Sequence, residues 1–108
     1  MKSLEEILDI LKKQSAVAIY FGGKNCGVCK VLQPKIKDLL DQKFPKIEQI
    51  YLDAQAYNNV AIHFGVFSIP TLLVFLDGKE FFRKSRNISL GIFEQELARP
   101  YEMFFGEE

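Results

Sequence analysis

The sequence predicts an α/β fold in which a mixed central sheet of about four strands is flanked by helices on both faces. Helical and strand patterns alternate along most of the chain, which is typical of strands joined by helical crossovers. The last two strand patterns are separated only by the tight-turn pair Asp77-Gly78, which indicates an antiparallel hairpin. The predicted order is helix, strand, helix, strand, helix, strand, strand, helix.

An amphipathic helix is predicted at the start of the chain. Ser3 and Glu6 form a capping-box pattern, in which the side chain of each residue bonds the backbone amide of the other. The apolar positions that follow recur on one helical face: Leu4, Ile7, Leu8 and Leu11. A short apolar run from Ala16 to Phe21 then predicts a buried strand, which Gly22-Gly23 ends.

A long helix is predicted from Gly27 to about Lys43. Its apolar positions recur at helical spacing and define the side expected to face the core: Val31, Leu32, Ile36, Leu39 and Leu40. Pro34 lies within this helix and removes one backbone hydrogen bond, so we expect a kink just after the first turn.

The second half of the chain supplies the rest of the sheet. Strands are predicted from Ile47 to Leu52, from Thr71 to Leu76 and, after the turn, from Lys79 to Lys84. A short helix from Asn58 to Phe64 is closed by Gly65, a residue typical of helix C-termini.

The last predicted helix extends from Ser89 to Leu97. Pro100 interrupts its pattern, because proline lacks the amide that a continuing helix needs. The aromatic residues beyond Pro100 are therefore expected either to form a separate turn that packs on the core or to lie partly exposed.

Both cysteines of the chain belong to one tetrapeptide, Cys26-Gly27-Val28-Cys29, at the start of the second helix. An i,i+3 spacing places both thiols on one face of a helical turn, close enough for a disulfide. Closing a four-residue loop stabilises a fold by roughly 2 kcal/mol, less than the roughly 3 kcal/mol of a 15-residue loop. Reversible redox chemistry is therefore the better explanation for the pair.

Other sequence features accompany the dithiol in a fixed order. Lys30 follows it directly, Pro34 comes five residues after Cys29, and the segment from Phe64 to Thr71 contains Pro70. Together with the Asp77-Gly78 turn, these features make the chain resemble the thioredoxin family over nearly its whole length. The resemblance implies a thioredoxin-like fold whose first strand is missing, with a cis Pro70 beside the dithiol.

The resemblance also implies a role for each residue of the site. Cys26 is expected to be the nucleophile, because the amides and the dipole at a helix N-terminus lower the pKa of a thiol. Cys29 is expected to be the resolving thiol, which attacks the mixed disulfide and releases the reduced substrate. The expected substrate-binding residues are Gly27, Val28, Ser68, Ile69 and Pro70.

Several positions depart from the family's pattern, among them Val28, where the family most often has Pro. Tyr20 replaces a buried aspartate, and Gln49 replaces the lysine that pairs with it. A phenol with an ordinary pKa near 10 is a poor base at neutral pH, so we expect slower resolution of mixed disulfides. Packing within the sheet is the favoured role for Tyr20. Asn25 and Arg86 replace the family's usual Trp and Gly, so partner choice should differ from that of a general thioredoxin.

The leading hypothesis is a thiol–disulfide oxidoreductase that reduces protein disulfides, needs no bound cofactor or metal, and is reduced in turn by a flavin-dependent reductase. The same chemistry run as an oxidant or isomerase is a second hypothesis. A protein-docking module with a slow or vestigial dithiol is a third. Metal binding would require a dimer, because two thiols and one distant histidine fall short of the four ligands of a closed zinc site. We expect a monomer.

Composition sets the remaining expectations. The 108 residues are 48% hydrophobic and include ten Phe, which suits one domain over residues 1–108. A formal net charge of zero argues against nucleic acid as a partner. The N-terminus lacks the pattern of a secretory signal, and no apolar run approaches the roughly 18 residues of a membrane span. We therefore expect a cytoplasmic protein that does not enter a membrane.

Overall fold

The predicted strands form one sheet in the computed structural model, which describes residues 2–106. β1 (Ala16–Gly22) pairs in parallel with β2 (Glu48–Asp53) and antiparallel with β3 (Thr71–Leu76). β4 (Lys79–Ser85) pairs antiparallel with β3 and completes the strand order β2-β1-β3-β4. The mixed four-stranded sheet is confirmed, and each strand begins and ends within about one residue of its predicted bounds.

Four helices cover the two faces of this sheet: α1 (Leu4–Lys13), α2 (Gly27–Lys43), α3 (Asn58–His63) and α4 (Leu90–Phe105). One cluster of buried side chains joins the sheet to α2 and α4, and a second joins it to α1 and α3. Helices on both faces leave β1 in the middle of the core, where all of its residues are buried. The predicted layer arrangement is therefore confirmed.

The alternation of side chains along β1 decides which residue lies beneath the dithiol. Tyr20 belongs to the cluster under α2 and α4, whereas its neighbours Ile19 and Phe21 belong to the opposite cluster. Successive residues of a strand point to opposite faces of the sheet, so this register is fixed for the whole strand. Tyr20 is consequently packed on the side of the sheet that carries α2.

The first helix begins with the predicted capping box. The backbone N–H of Glu6 donates to Ser3 Oγ at 3.1 Å, and the backbone N–H of Ser3 donates to Glu6 Oε1 at 3.0 Å. Both groups would otherwise lack a helical partner. The hydrogen bonds also lower the pKa of the Glu6 carboxyl group, because they stabilise its charged form.

The second helix has the predicted bounds, but one of its predicted core residues lies outside the core. Leu32, Ile36 and Leu40 are buried, whereas Val31 is 59% exposed. The buried residues form an i,i+4 row, and Val31 lies one position round the helix from it. The helix is continuous through Pro34, from Gly27 to Lys43.

The last helix is longer than predicted, because it continues through Pro100 to Phe105. The ring of Tyr101 packs edge-on against Phe44 with 5.0 Å between the ring centroids. The Tyr101 hydroxyl also accepts a hydrogen bond of 3.1 Å from the backbone N–H of Lys46. These contacts with residues distant in sequence stabilise the turn after Pro100 and offset the hydrogen bond that the proline removes.

The turn between β3 and β4 gives a test of the backbone conformation. Asp77 and Gly78 both have positive φ, at 53° and 78°. We expect Gly78→Ala to lower the free energy of unfolding by roughly 1 kcal/mol, because an L-residue is disfavoured at positive φ. Gly91→Ala is the matched control, since Gly91 lies in α4 where an added Cβ would meet open space, and the change should stabilise the fold by up to about 1 kcal/mol. Urea unfolding measures the free energy of unfolding of both variants. Equal values for the two variants would contradict the positive φ of Gly78.

Candidate active site

The site is built at the junction between the end of β1 and the start of α2. Cys26 is the N-cap residue of α2, and its Sγ accepts a hydrogen bond of 3.1 Å from the backbone N–H of Cys29. The sulfur thus takes the place that a Ser or Asp oxygen takes at many helix starts. Because the N-terminus of a helix favours negative charge, this position stabilises a thiolate on Cys26.

The two cysteines form a disulfide in this structure, with 5.2 Å between their Cα atoms. Their surroundings differ, since Cys29 is only 2% exposed and Cys26 is partly exposed. Cys26 is therefore the more accessible of the two residues to a molecule that approaches from solvent.

The loop before β3 approaches the backbone of Gly23, three residues before Cys26. The peptide bond between Ile69 and Pro70 is cis, as the resemblance implied. A Cβ atom placed on Gly23 would lie 2.7 Å from Ile69 Cδ1 and 3.9 Å from Cys26 Cβ. The absence of a side chain at Gly23 therefore leaves room for Ile69 beside the segment that leads to Cys26.

A hydrogen bond inside the loop fixes one of the predicted substrate-binding residues. The hydroxyl of Thr71 donates to the carbonyl oxygen of Ser68 at 2.7 Å. A carbonyl oxygen can accept a second hydrogen bond, so this contact leaves part of its capacity for a substrate. Ser68, Ile69 and Pro70 thus lie in one loop, whose Ile69 side chain is close to Gly23.

Arg86 lies at the other side of the same loop. Its backbone N–H donates to the carbonyl oxygen of Pro70 at 2.8 Å. Its φ of 64° is in the left-handed region that favours glycine. That conformation is consistent with the glycine which the thioredoxin family usually has at this position.

Arg83 supports the loop from the hairpin and was missed by sequence reasoning. Its guanidinium donates to the carbonyl oxygen of Gly65 at 3.0 Å and also to that of Phe64, so it binds the backbone where α3 ends. It also donates two hydrogen bonds to Glu80, which lower the pKa of the Glu80 carboxyl group. Nothing in the local pattern distinguishes this arginine from other charges on an exposed strand.

Exposed apolar side chains lie on two sides of the dithiol. On α2, Val28 is 63% exposed and forms a shallow groove with Val31. On the loop side, Phe67 is 84% exposed and lines a second groove with Ile62 and Ile69. Exposed apolar grooves of this kind are typical of a protein-binding site. Val28 and Ile69 are among the substrate-binding residues expected from the sequence, whereas Val31 was expected to face the core.

The residues that replace the family's acid-base pair have separate partners. The Tyr20 hydroxyl donates to the carbonyl oxygen of Cys29 at 2.9 Å, and burial raises the pKa of Tyr20. Gln49 donates to Asp41 at 2.8 Å and accepts from the hydroxyl of Tyr51 at 2.6 Å. Burial is also the main reason that the pKa of Tyr51 is raised to about 12. Both phenols are therefore neutral donors at physiological pH.

Metal and membrane binding were also considered. Within residues 2–106, no group of three or more His, Cys, Asp or Glu side chains is arranged to hold a metal ion. In the same part of the chain, no helix combines the length and the hydrophobicity needed to cross a bilayer.

Comparison with known proteins identifies relatives of this fold and site. The family model described as Thioredoxin matches residues 4–98. The thioredoxin-like protein YdfQ of Bacillus subtilis is 36% identical over 107 residues, which cover 99% of this chain and 95% of that protein. The thioredoxin of Chlamydia muridarum is 42% identical over 64 residues, which cover 59% of this chain and 62% of that protein.

Solved structures show the same architecture. Mitochondrial thioredoxin 3 of Saccharomyces cerevisiae superposes with a TM-score of 0.80 at 22% identity, covering 92% of each chain. A mutant thioredoxin of Halobacterium salinarum superposes with a TM-score of 0.75 at 23% identity, covering 96% of this chain and 87% of that one. At these identities the solved structures show the fold alone.

Proposed function

This chain belongs to the thioredoxin family, whose model it matches over residues 4–98, and we propose that it reduces disulfide bonds of proteins through Cys26 and Cys29. Family membership and the dithiol make it a thiol–disulfide oxidoreductase. The proposal adds the direction of the reaction, the class of substrate and the role of each cysteine. It is carried by the hydrogen bond from the Cys29 amide to Cys26 Sγ at the start of α2.

In the first step, the Cys26 thiolate attacks one sulfur of a substrate disulfide. A bond forms between Cys26 Sγ and that sulfur, the substrate S–S bond breaks, and the electron pair leaves on the second substrate sulfur as a thiolate. The Cys29 amide and the helix N-terminus support this step, because both favour negative charge on Cys26 before the attack. Partial exposure of Cys26 gives the substrate access.

In the second step, Cys29 resolves the mixed disulfide. The Cys29 thiol loses its proton to solvent and attacks Cys26 Sγ, and the bond between Cys26 and the substrate breaks. The substrate sulfur leaves with the electron pair and takes a proton, so the substrate gains two electrons and the protein keeps the disulfide seen in this structure. The i,i+3 position of Cys29 supports this role, because it is behind Cys26 and shielded from other substrates.

The proposed substrate-binding surface surrounds Cys26. It comprises Gly27 and Val28 on the first turn of α2, and Ser68, Ile69 and Pro70 on the loop before β3, and it is supported by the approach of Ile69 to Gly23. The apolar exposure of this surface supports extended protein segments as substrates, since such segments can bury apolar side chains on both sides of their cystine.

We also infer the partner that restores the dithiol. Each turnover leaves the protein oxidised, so a second electron donor is required, and a flavin-dependent thioredoxin reductase is the class that the family implies. The remaining parts of the proposal are a cytoplasmic location and a monomeric state.

Insulin reduction tests the proposal. With NADPH and a thioredoxin reductase, we expect repeated turnover of insulin disulfides and a redox potential near that of thioredoxin, about −270 mV. The same assay with dithiothreitol as electron donor separates failure to accept electrons from failure to reduce insulin. Binding of insulin without turnover under both donors would favour a docking module. A potential near −120 mV would favour an oxidant.

A further inference from the structure

The Tyr20 hydroxyl forms a buried hydrogen bond with the backbone of the resolving cysteine. Tyr20 is 1% exposed, and its hydroxyl donates to the carbonyl oxygen of Cys29 at 2.9 Å. A carbonyl oxygen has two lone pairs, so this hydrogen bond can exist together with the ordinary helical one. The Tyr20 side chain thus links the central strand β1 to the first turn of α2.

Contacts around Cys29 show how tightly this arrangement is packed. A Cβ atom on Gly22 would lie 3.3 Å from both Tyr20 Cε2 and Cys29 Cβ, and 3.8 Å from Cys29 Sγ. The tyrosine ring and the Cys29 side chain therefore both lie close to Gly22 at the end of β1. Cys29 is held at its carbonyl by Tyr20 and at its amide by Cys26.

We propose that Tyr20 is a positioning residue for the resolving step: its hydroxyl fixes the backbone of Cys29 so that Cys29 Sγ stays within reach of Cys26 Sγ. The inference rests on the proposed function, in which Cys29 resolves the mixed disulfide. The Tyr20 hydroxyl keeps its proton and donates it to a carbonyl oxygen, so we give Tyr20 no role as a base. Proton removal from Cys29 is left to solvent, and Tyr20 contributes geometry alone.

Positioning matters most in the mixed disulfide, when the bond between Cys26 and Cys29 is absent. In that state the Cys29 side chain is no longer tied to Cys26, and the hydrogen bond from Tyr20 is the contact that continues to anchor its backbone to β1. Loss of the hydroxyl should therefore slow resolution and leave the first attack unchanged, because that attack uses Cys26 and the helix N-terminus.

Ellman's reagent separates the two steps in one experiment. Attack by reduced protein on the reagent releases one thionitrobenzoate through Cys26, and resolution by Cys29 releases the second. In stopped flow, we expect Tyr20→Phe to slow the second release by about fivefold, the effect of losing one hydrogen bond, with the first release within about twofold of wild type. Tyr101→Phe is the matched control, because it removes a hydroxyl whose partner is the Lys46 amide and should change neither phase.

Each result has a distinct meaning. An unchanged second phase in Tyr20→Phe would overturn the inference, and so would equal slowing of both phases, which would indicate a merely structural role. If wild-type protein released no thionitrobenzoate through Cys26, the proposed function itself would fail, whatever Tyr20 does.

A measurement on wild-type protein covers the case in which Tyr20→Phe does not fold. Hydrogen exchange at the Cys29 and Lys30 amides, which donate to Cys26, should remain slow after reduction of the disulfide, because Tyr20 still holds Cys29. Loss of protection in the reduced protein alone would show that the disulfide orders this turn, and it would overturn the inference.

Discussion

Replacing Cys26 by serine should reduce insulin turnover to the rate of the reductant alone, a loss on the order of a thousandfold. The serine hydroxyl stays protonated at neutral pH, even at the helix N-terminus, so the variant lacks a nucleophile for the disulfide. The change is nearly isosteric, and a serine oxygen at the N-cap accepts the hydrogen bond from the Cys29 amide at least as well as sulfur does. The fold should therefore survive the loss of activity.

The control for this variant is the stability of Cys26→Ser compared with that of reduced wild-type protein. The disulfide itself stabilises the oxidised wild type by roughly 2 kcal/mol, so stabilities must be compared with both proteins reduced. We expect the two to agree within about 0.5 kcal/mol, as for most substitutions that leave the core unchanged. Insulin turnover by a folded Cys26→Ser protein would contradict the role given to Cys26.

The fold could be predicted because its local signals agree with its tertiary structure. Ser3 and Glu6 specify the start of α1, and the Asp77-Gly78 pair specifies the hairpin, since each acts over a few residues of chain. The dithiol could be placed at the start of α2 for the same reason. Such signals are present in the sequence before any long-range contact forms.

The features that were wrong or missed depend on contacts between residues distant in sequence. Pro100 is a local signal for the end of a helix, but the packing of Tyr101 against Phe44 outweighs it. The hydrogen bond from Tyr20 to Cys29 crosses from β1 to α2, and that from Arg83 to Gly65 crosses from β4 to the end of α3. No pattern in a single segment could predict which polar group each side chain meets.

Replacing Cys29 by serine should trap the mixed disulfide between Cys26 and its substrate, which is the second large effect we expect. In Cys29→Ser, Cys26 should still attack a substrate disulfide, but the protein has no second thiol to release the product. We expect a mixed disulfide between the variant and insulin to accumulate to nearly one per protein, visible on a non-reducing gel and by mass spectrometry. Turnover should fall on the order of a hundredfold, with the remainder due to attack by the reductant on the mixed disulfide.

This variant also isolates the chemistry of Cys29 from the geometry around it. Tyr20 contacts the backbone carbonyl of Cys29, so serine at this position keeps the hydrogen bond and the first turn of α2. Cys26→Ser is the matched control and should trap no substrate, because it cannot form the first bond. If Cys29→Ser released reduced insulin at the wild-type rate, the mixed disulfide would be resolved by a second substrate thiol or by the reductant. The buried position of Cys29 would then have no part in the reaction.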